Sequence, residues 1–380
     1  MKAPYDIVIL ALNRSDDVLN SSTWQMAVSM ARTKRVLYVN HPKTWWECLR
    51  QRKWVKSKRV TRTTNLHCLE PRPSLPINFL PKGRLYNWFQ QINHRWLFQS
   101  ISSIVGGGQI ELFINAFDFY FPFLQRWLGS RVRKVAYYSL DPLVKERSRR
   151  HGIAHEQALV ADADHVFCSA KGLYDQWRRQ HHSVHYLPNA VNFAFLQQQV
   201  AHPPRTISMI RGLKVGLFGN IDRRVNIELL ESVMQAQYMS LVLAGPLEHK
   251  SERLLHLPNV YYYGTYHYDD LRSYVESVDV CLVPYRVTPD MEKVYPLKMM
   301  EYFAFGKPVV MTPFNTEQLH ELGQQVYVAD TVTGMQEAIL RAYHEDSSHL
   351  QQERRAIAEQ NTWDNRSKTL FEVVYHDQSA

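Results

Sequence analysis

Short runs of apolar residues alternate with longer amphipathic segments along the first half of the chain. YDIVILAL predicts a buried strand, NSSTWQMAVSMARTK a helix with Ser or Thr at its N-cap, and RVLYVN the next strand. Further apolar runs follow in IELFINA, RKVAYYSL, DHVFCSA and SVHYLPNAV. Short apolar strands separated by helices are typical of a parallel sheet that is covered on both faces.

The alternation lapses between Arg205 and Gly212 and then begins again. LKVGLFGNI predicts a strand, RRVNIELLESVMQAQ a helix, and SLVLAGP, NVYYYGT, DVCLVPY and KPVVMT further strands of a second sheet. We therefore predict an α/β protein with two doubly wound domains, at residues 1–207 and 208–360. The amphipathic segment 361–380 predicts a closing helix that packs back on the first domain.

Composition excludes several classes of protein. The chain has 380 residues, 45% of them hydrophobic, and no repeats, which argues against a disordered, solenoid or fibrous protein. The four cysteines are far apart and form no CxxC pair, so we expect neither a zinc site nor disulfides, and a cytoplasmic location. Since no apolar run reaches the roughly 18 residues of a membrane span, we expect no signal peptide and no spanning helix.

The net charge of +9 is concentrated in one place. RQRKWVKSKRVTRTT, at Arg50–Thr64, contains seven Lys or Arg residues and no acid. Nucleic acid, an anionic bilayer and a solvated loop each remain open as explanations. Tryptophans and tyrosines are interleaved with the basic residues between Trp45 and Trp96, which makes the inner face of the cytoplasmic membrane a candidate partner.

The segment KVYPLKMMEYFAFGKPVVMTP carries the strongest candidate chemistry. It predicts a helix that starts at or just after Pro296, where the free amides of residues such as Leu297 and the helix dipole favour an anion such as phosphate. Lys298 opposes the dipole but adds a positive charge to the same place. Glu301 lies on the same helical face, where it can accept hydrogen bonds from ribose hydroxyls; an ordinary Lys–Glu surface pair is the alternative.

A second candidate is the strand end in GLFGNIDRRVNIELL. Gly216 and Gly219 allow a ligand to approach the backbone, and the planar guanidinium groups of Arg223 and Arg224 suit phosphate oxygens. The segment lacks the third glycine of the dinucleotide-binding fingerprint and is not a Walker loop. A tight turn followed by two solvated arginines is the alternative interpretation.

Together, GLFGNIDRRVNIELL, LVLAGP, NVYYYGTYHYDDLRSYVESVDVCLVPY and YPLKMMEYFAFGKPVVMT resemble the nucleotide-binding half of GT-B fold glycosyltransferases, especially the retaining group called family four. AYYSLDP, ADADHVFCSA and HYLPNAVNFAFL resemble, more weakly, segments of the same proteins' first domain. Enzymes of teichuronic acid, capsule and exopolysaccharide assembly look nearest. The resemblance implies two Rossmann-like domains facing a cleft, the donor in the second and the acceptor in the first.

The resemblance also implies roles for single residues. Glu301 matches the glutamate that binds the donor ribose, and Lys298 with Arg223 or Arg224 matches the basic residues that face the diphosphate. Lys293 stands where the family's motif has its first glutamate, which usually contacts the donor sugar. This departure leaves the donor sugar and the retaining outcome open.

The loop Gly264–Tyr266 is implied to border the donor base through backbone contacts. The expected function is transfer of a sugar from a nucleotide diphospho-sugar to a hydroxyl of a glycan or lipid-linked acceptor, with no metal or other cofactor and no nucleic-acid partner. The rival interpretation is a non-catalytic nucleic-acid-binding or scaffold protein that uses the basic stretch.

Asp141 follows a predicted strand in AYYSLDP and is the candidate general base for the acceptor hydroxyl. An aspartate before proline is also common as a turn residue. The DAD sequence at Asp162–Asp164 has the form of a metal motif, but its position between a helix and a strand favours solvated polar residues. We expect no metal site.

Overall fold

The computed structural model of the protein describes residues 4–17, 19, 21–52, 56–143 and 146–376, without the side chains of 146–150 and 376. The chain divides into two compact units. The N-terminal unit is built on residues 21–188 together with the segment before residue 18 and the part of the last helix from Arg366 onwards. The C-terminal unit is built on residues 189–365.

The N-terminal unit contains a sheet of eight strands: β1 (Ile7–Ala11), β2 (Val36–Asn40), β3 (Lys58–Thr61), β4 (Leu66–Glu70), β5 (Ile110–Ala116), β6 (Val132–Ser139), β7 (His165–Cys168) and β8 (Val184–Tyr186). The strand order is β3-β4-β2-β1-β5-β6-β7-β8. Every neighbouring pair is parallel except β3 and β4, which are antiparallel. The direction of winding reverses between β1 and β5, so ligands are expected at the carboxyl ends of these strands.

Six helices connect these strands: α1 (Ser22–Met30), α2 (Trp45–Arg50), α3 (Arg84–Val105), α4 (Leu124–Leu128), α5 (Glu146–Asp162) and α6 (Lys171–Trp177). Apolar residues of β1, β2 and β5, among them Val8, Leu37 and Phe113, form a core with Leu97 of α3 and Leu124 of α4. These strands are almost entirely apolar because the sheet is buried on both faces.

The C-terminal unit contains six parallel strands: β9 (Leu213–Phe218), β10 (Met239–Ala244), β11 (Val260–Tyr262), β12 (Val280–Val283), β13 (Val309–Met311) and β14 (Val326–Val328). The strand order is β11-β10-β9-β12-β13-β14, and the winding reverses between β9 and β12. This order is that of a dinucleotide-binding Rossmann sheet.

Nine further helices follow in chain order: α7 (Phe193–Gln198), α8 (Arg205–Ser208), α9 (Ile227–Val233), α10 (Leu271–Glu276), α11 (Leu297–Ala304), α12 (Thr316–Leu322), α13 (Val332–His344), α14 (Ser348–Gln360) and α15 (Trp363–His376). Short 3-10 turns lie at Gly129–Arg131, His249–His256, Tyr268–Asp270, Met291–Lys293 and Gly323–Gln325. Among the residues described, no helix combines the length and the apolarity that crossing a membrane requires.

In the structure, the boundary between the two units falls between residues 188 and 189, whereas the sequence pattern places it between residues 207 and 208. Two side chains account for the difference. Asn189 Nδ2 donates to Tyr295 O at 2.6 Å, and Gln197 Nε2, in α7, donates to Ala304 O at 2.7 Å. The segment before β9 therefore packs with the C-terminal unit.

The last helix, α15, begins two residues beyond the predicted position 361. Its residues from Arg366 onwards belong to the N-terminal unit, where the Ser367 and Ser29 hydroxyls lie 2.9 Å apart and Leu370 is buried. Residues 377–380 of the predicted closing helix lie outside the described part of the chain.

The basic stretch takes a form that the sequence pattern does not predict. Residues 58–61 form β3, an exposed edge strand paired with β4 in the register Lys58↔Glu70 to Thr61↔His67. Exposed Lys and Arg side chains on an edge strand discourage pairing with another chain. Residues 53–55 of the basic stretch lie outside the described residues.

Candidate functional site

Three glycines follow three neighbouring strands of the C-terminal sheet. Gly219, Gly245 and Gly264 come directly or shortly after β9, β10 and β11 and have φ values of +94°, +131° and +72°. Gly219 N donates to Ala244 O at 2.9 Å, and Gly245 N donates to Gly264 O at 2.8 Å. A Cβ at Gly245 would lie 2.1 Å from Gly219 O. At this three-glycine edge, Gly245 is buried and lets the ends of β9 and β10 pack closely, whereas Gly219 and Gly264 are partly exposed and leave backbone accessible without a side chain.

The loop after β9 is fixed to its neighbours on both sides. Ile221 N donates to Pro246 O at 2.9 Å, and Arg286 N donates to Arg224 O at 2.7 Å. Val225 also forms an antiparallel bridge with Tyr285. The backbone at the switch between β9 and β12 is therefore organised by main-chain hydrogen bonds.

Helix α11 starts at this switch. Its N-cap is Pro296, no side chain caps it, and Leu297 is its first residue. The Tyr302 hydroxyl accepts from Phe218 N at 3.0 Å, which attaches α11 to the end of β9. Asn315 Nδ2 donates to Val294 O at 3.0 Å and fixes the loop before the helix. The first turn of α11 thus has no side-chain cap, as an anion site at the helix N-terminus would require, and the anion site itself stays a prediction.

Lys298 is the central cation of this site. It is 8% exposed, and among the described residues its Nζ has no hydrogen-bond partner. Nζ lies 3.7 Å from the position of a Cβ on Gly219 and 5.6 Å from the ring centroid of Tyr285. Burial, and next the Arg224 charge, lowers the pKa of Lys298 to about 8. A buried ammonium group without a hydrogen bond is costly, and a bound anion removes that cost.

The two predicted arginines differ in their environments. Arg224 is partly buried, pairs with Asp222 through Nε and Nη2 at 2.8–3.1 Å, and lies 5.7 Å from the Tyr285 ring centroid. Arg223 is exposed, and its backbone amide donates to the Glu248 carboxylate at 3.1 Å. Arg224 and Lys298 therefore both lie near the ring of Tyr285, whereas Arg223 is exposed.

Glu301 lies one turn after Lys298 and is partly exposed. Burial raises the pKa of its carboxyl to about 7, although a hydrogen bond from Tyr268 and the Lys298 charge act in the opposite direction. Tyr266 is buried nearby, and burial followed by the Glu301 charge raises the pKa of its hydroxyl. The Tyr266 ring lies 5.1 Å from that of Tyr274. Helix α11 thus presents a cation and a carboxylate to one region.

The missing glutamate of the family motif has no substitute at the neighbouring position. Lys293 ends the 3-10 turn Met291–Lys293, and its side chain is partly exposed. Glu292 is exposed, with its carboxylate 3.5 Å from Thr316 Oγ1 on α12. The adjacent acid therefore faces α12.

The switch point of the N-terminal sheet carries a charge cluster centred on Arg14. Arg14, after β1, donates from Nη1 and Nη2 to the Glu70 carboxylate at 3.1 and 2.5 Å and from Nε to Asp16 at 2.9 Å. Arg14 Nη1 also donates to His41 O at 3.0 Å, and Asn40 Nδ2 donates to Glu70 at 3.1 Å. Each of these charged side chains therefore has a partner of opposite charge within the protein.

A histidine–aspartate pair lies at the same strand ends. His41 Nδ1, after β2, is 2.9 Å from Asp118 Oδ2, after β5. Asp118 is fully buried, while the His41 side chain is 24% exposed. Phe117 has a φ of +62°, which is strained for an aromatic residue, and Asn115 Oδ1 accepts from Asp118 N at 2.8 Å. A buried carboxylate that orients an exposed imidazole suits proton transfer or hydroxyl binding.

The predicted base Asp141 follows β6 in a bend and is partly buried. Two neighbours have structural contacts: Ser169 Oγ donates to Leu140 O at 2.5 Å, and Ser139 Oγ donates to Glu156 at 3.1 Å. The role of Asp141 stays a prediction.

The two acids of the DAD sequence make structural contacts. Asp162 pairs with Arg126 at 2.5 Å, and Asp164 accepts from Val135 N at 2.7 Å. Both carboxylates therefore serve local structure. Within the described ranges, no cluster of three or more His, Cys, Asp or Glu residues has the arrangement of a metal site.

The C-terminal unit combines a parallel α/β sheet with a helix N-terminus and, among the described residues, a buried lysine without a hydrogen-bond partner at its switch point, a combination typical of nucleotide-binding Rossmann domains. Residues 214–345 match the family model described as "Glycosyl transferases group 1". The matched segment lies within the C-terminal unit. The predicted resemblance to group 1 glycosyltransferases is confirmed for this segment.

Among characterised sequences, the chain is similar to a Bacillus subtilis protein named "Putative teichuronic acid biosynthesis glycosyltransferase TuaH". The two are 28% identical over 202 residues, which are 50% of this chain and 50% of that protein. The chain thus matches about half the length of this relative.

Comparison with solved structures shows similarity of fold over nearly the whole chain. The sucrose-phosphate synthase of Thermosynechococcus elongatus superposes with a TM-score of 0.72 at 15% identity, covering 97% of this chain and 98% of that one. An E. coli trehalose-6-phosphate protein bound with UDP-2-fluoro glucose gives 0.72 at 10% identity, with coverage of 97% and 98%. A Burkholderia xenovorans trehalose-phosphate synthase in complex with glucose-6-phosphate gives 0.72 at 12%, with coverage of 97% and 99%. The predicted GT-B fold is confirmed.

Proposed function

We propose that this protein transfers a sugar from a nucleotide diphospho-sugar to a hydroxyl group of a bacterial cell-surface glycan intermediate. The single observation that carries the proposal is Lys298, a buried ammonium group with no hydrogen-bond partner among the described residues, beside the glycine edge of a Rossmann sheet. An anion with two phosphates satisfies Lys298 and the amides of the α11 N-terminus together.

In this proposal, the predicted binding residues surround one molecule, the nucleotide diphospho-sugar donor. The diphosphate lies over Gly219 and at Pro296, Leu297 and Lys298, and Arg224 adds positive charge from the side of Tyr285. Glu301 accepts hydrogen bonds from the ribose. The strength of such hydrogen bonds comes from the charge of the carboxylate.

The base and the second arginine complete the donor assignment. The base adjoins Gly264 and Tyr266. Arg223, which is exposed in this structure, is assigned to the outer edge of the diphosphate.

The chemical step follows from this placement. The acceptor oxygen forms a bond to the anomeric carbon, the bond from that carbon to the diphosphate breaks, and the diphosphate leaves with the electron pair. Lys298, Arg224 and the helix N-terminus stabilise the negative charge that develops on the leaving group. Asp141 takes the proton of the acceptor hydroxyl, and the His41–Asp118 pair is the second candidate for this role. No metal or other cofactor is required by this assignment.

The acceptor is a glycan or a lipid-linked sugar at the inner face of the cytoplasmic membrane. Three features support this choice: the similarity to a protein named for teichuronic acid biosynthesis, the basic residues of β3, and exposed tryptophans such as Trp46 and Trp88. Basic and aromatic residues together favour the surface of an anionic bilayer.

The test is a comparison of ligands by thermal unfolding and calorimetry. A nucleoside diphosphate should raise the melting temperature of the wild-type protein, and Lys298→Met should remove most of that rise. Lys214→Met is the matched control, because this lysine lies at the start of β9 and pairs with Asp279. A panel of nucleotide diphospho-sugars then identifies the donor through release of the nucleoside diphosphate.

The rival class makes the opposite prediction. A nucleic-acid-binding or scaffold protein would be stabilised by an oligonucleotide and would not respond to any nucleoside diphosphate. That result, obtained with folded protein, would contradict the proposed function.

A further inference from the structure

An apolar pocket opens on the surface of the N-terminal unit. Its volume is 260 Å³. Helix α2 contributes Trp45, Trp46 and Leu49 to its lining, Phe89 comes from α3, and the other lining residues are apolar side chains between positions 75 and 80. We call this site, with no polar residue in its lining, the tryptophan pocket.

The side chains at the mouth of the pocket are not part of a core. Trp46 is 64% exposed and Phe79 is 66% exposed, and Leu49 is exposed as well. Leu85 and Trp88, at the start of α3, extend the exposed apolar surface. Contiguous exposed apolar residues of this size usually mark a binding surface.

The walls of the pocket are fixed by hydrogen bonds. Trp45 N donates to Ser74 O at 3.0 Å, and Ser74 N donates to Lys43 O at 2.9 Å, which joins α2 to the segment before α3. Leu75 N donates to Asn93 Oδ1 at 2.7 Å, and Asn93 Nδ2 donates to Leu75 O at 3.0 Å, which joins that segment to α3. The pocket is therefore formed before any ligand binds.

The surroundings of the pocket are cationic. The Arg72 guanidinium lies 5.9 Å from the ring centroid of Trp96, and Trp96 stacks on Trp45 at 5.8 Å. Glu47, the acid of α2, has its carboxylate engaged by the Thr44 amide at 2.6 Å. Further basic residues adjoin α2 and the start of α3: Lys43, Arg50, Lys82 and Arg84. An apolar pocket with a positive rim complements an amphiphile with an apolar chain and an anionic head group.

We propose that the tryptophan pocket binds the end of one acyl or isoprenoid chain of a phosphate-bearing membrane lipid, with the phosphate at the Arg72 side of the rim. The volume is below the roughly 300–1,000 Å³ of sites that enclose a whole drug-sized ligand, so the pocket takes part of a chain. Exposed tryptophans favour the bilayer interface as the source of that chain. The inference rests on the proposed function and deepens it, because it names the class of carrier that brings the acceptor.

The first experiment measures flotation of the full chain with vesicles of phosphatidylcholine alone and with phosphatidylglycerol added. Binding is expected to the anionic vesicles and to be weak on the neutral ones. Dodecyl phosphate below its micelle concentration should compete for the site, whereas inorganic phosphate and the neutral detergent dodecyl maltoside should compete poorly. Bromine atoms near the end of the lipid chain should quench tryptophan fluorescence.

Paired variants assign this binding to the pocket. Trp46→Ser combined with Phe79→Ser should weaken vesicle binding by more than about tenfold, since two aromatic contacts with the chain are lost. Val200→Ser combined with Met209→Ser is the control, because both residues are exposed and belong to the C-terminal unit. Arg72→Gln should weaken binding to anionic vesicles by about fivefold, and Lys250→Gln should not.

Several results would overturn the inference. Equal vesicle binding by the Trp46/Phe79 variant and its control would do so, as would equal competition by inorganic phosphate and dodecyl phosphate. Concentration-dependent dimerisation that the Trp46/Phe79 variant abolishes would instead assign the pocket to a second copy of the chain. Since none of these assays uses the donor site, the response to nucleoside diphosphate without vesicles separates failure of this inference from failure of the proposed function.

Discussion

The two switch points of this protein have opposite electrostatics. At the N-terminal switch, Arg14 is paired with Asp16 and Glu70, and His41 is paired with Asp118. At the C-terminal switch, Arg224 is paired with Asp222, but the buried Nζ of Lys298 has no hydrogen-bond partner among the described residues. Both sites are strand ends of parallel sheets, so the backbone alone does not account for the difference.

Charge compensation indicates what each site can bind. A site whose ions are already neutralised can bind a neutral hydroxyl compound through hydrogen bonds without the cost of separating charges. A site with a buried cation that lacks a hydrogen-bond partner binds an anion favourably. The N-terminal switch therefore suits an acceptor hydroxyl, and the C-terminal switch suits a diphosphate.

The largest expected effect concerns the acceptor side. Asp141→Asn should lower the rate of sugar transfer by about 10²–10⁴-fold if Asp141 is the base, with nucleotide affinity unchanged, because a base for the acceptor hydroxyl need not touch the nucleotide. His41→Gln is the matched variant, and its pH–rate profile shows whether the imidazole takes the proton instead. Normal turnover by Asp141→Asn would exclude Asp141 from the mechanism.

The second prediction compares the two cations directly. Arg14→Met should lower the free energy of unfolding by about 3–5 kcal/mol, because it leaves Glu70 and Asp16 without their partner. Lys298→Met should raise it by on the order of 1 kcal/mol, because it removes a buried charge that lacks a partner. Denaturant unfolding without ligand measures both.

The size of the Lys298 effect depends on pH. The folded-state pKa of Lys298, about 8, lies below the ordinary value of 10.5. Below pH 8 the lysine is charged in both the folded and the unfolded protein, so Lys298→Met should show its full gain in the free energy of unfolding. The gain should disappear as the pH rises towards 10.5, because the folded wild-type protein then holds a neutral lysine. A loss of stability in Lys298→Met at neutral pH would contradict the charge comparison.

The third prediction concerns the ribose. Glu301→Ala should weaken nucleoside diphosphate binding by about 1.5–3 kcal/mol, as expected for hydrogen bonds to a charged group, while the fold is retained. Calorimetry measures the affinity of this variant, and Glu292→Ala, which removes an exposed acid nearby, is the control. The comparison separates the loss of a direct contact from a general loss of negative charge. Equal affinities for Glu301→Ala and the wild type would count against the assignment.

The smallest expected effect is the pH dependence of the affinity for the nucleotide. Glu301 loses its proton above about pH 7 and Lys298 loses its proton above about pH 8, so affinity should be highest between these values and fall several-fold on either side. Glu301→Gln should flatten the acid side, and Lys298→Arg should move the alkaline side to higher pH. Titration calorimetry across the window measures both changes.

The sequence is informative where neighbours in space are also neighbours in the chain. Lys298 and Glu301 lie one turn apart in a helix, so a short pattern was sufficient to select both. The His41–Asp118 contact joins residues 77 positions apart, and it depends on strand order, which a local pattern does not contain. Gly245 was also missed, since a glycine after a strand is uninformative until the neighbouring strand is known.

Burial of long side chains is the second limit of sequence reasoning. The sequence around Arg224 does not indicate that its guanidinium group pairs with Asp222, or that Arg223 is exposed. The same limit applies to the tryptophan pocket, because exposed and buried aromatic residues look identical in a sequence. The exposed strand β3 was not predicted either, since its stability comes from pairing with β4.

The contact between Gly245 and Gly219 limits how this protein can change its donor. A methyl group at Gly245 would lie 2.1 Å from a backbone oxygen of the adjacent loop, so even alanine is excluded there unless the strands separate. Random mutagenesis of the chain should therefore return few active variants at this position. New sugar or base preferences, whether in natural divergence or in directed evolution, must arise through side chains on α11 and in the surrounding loops.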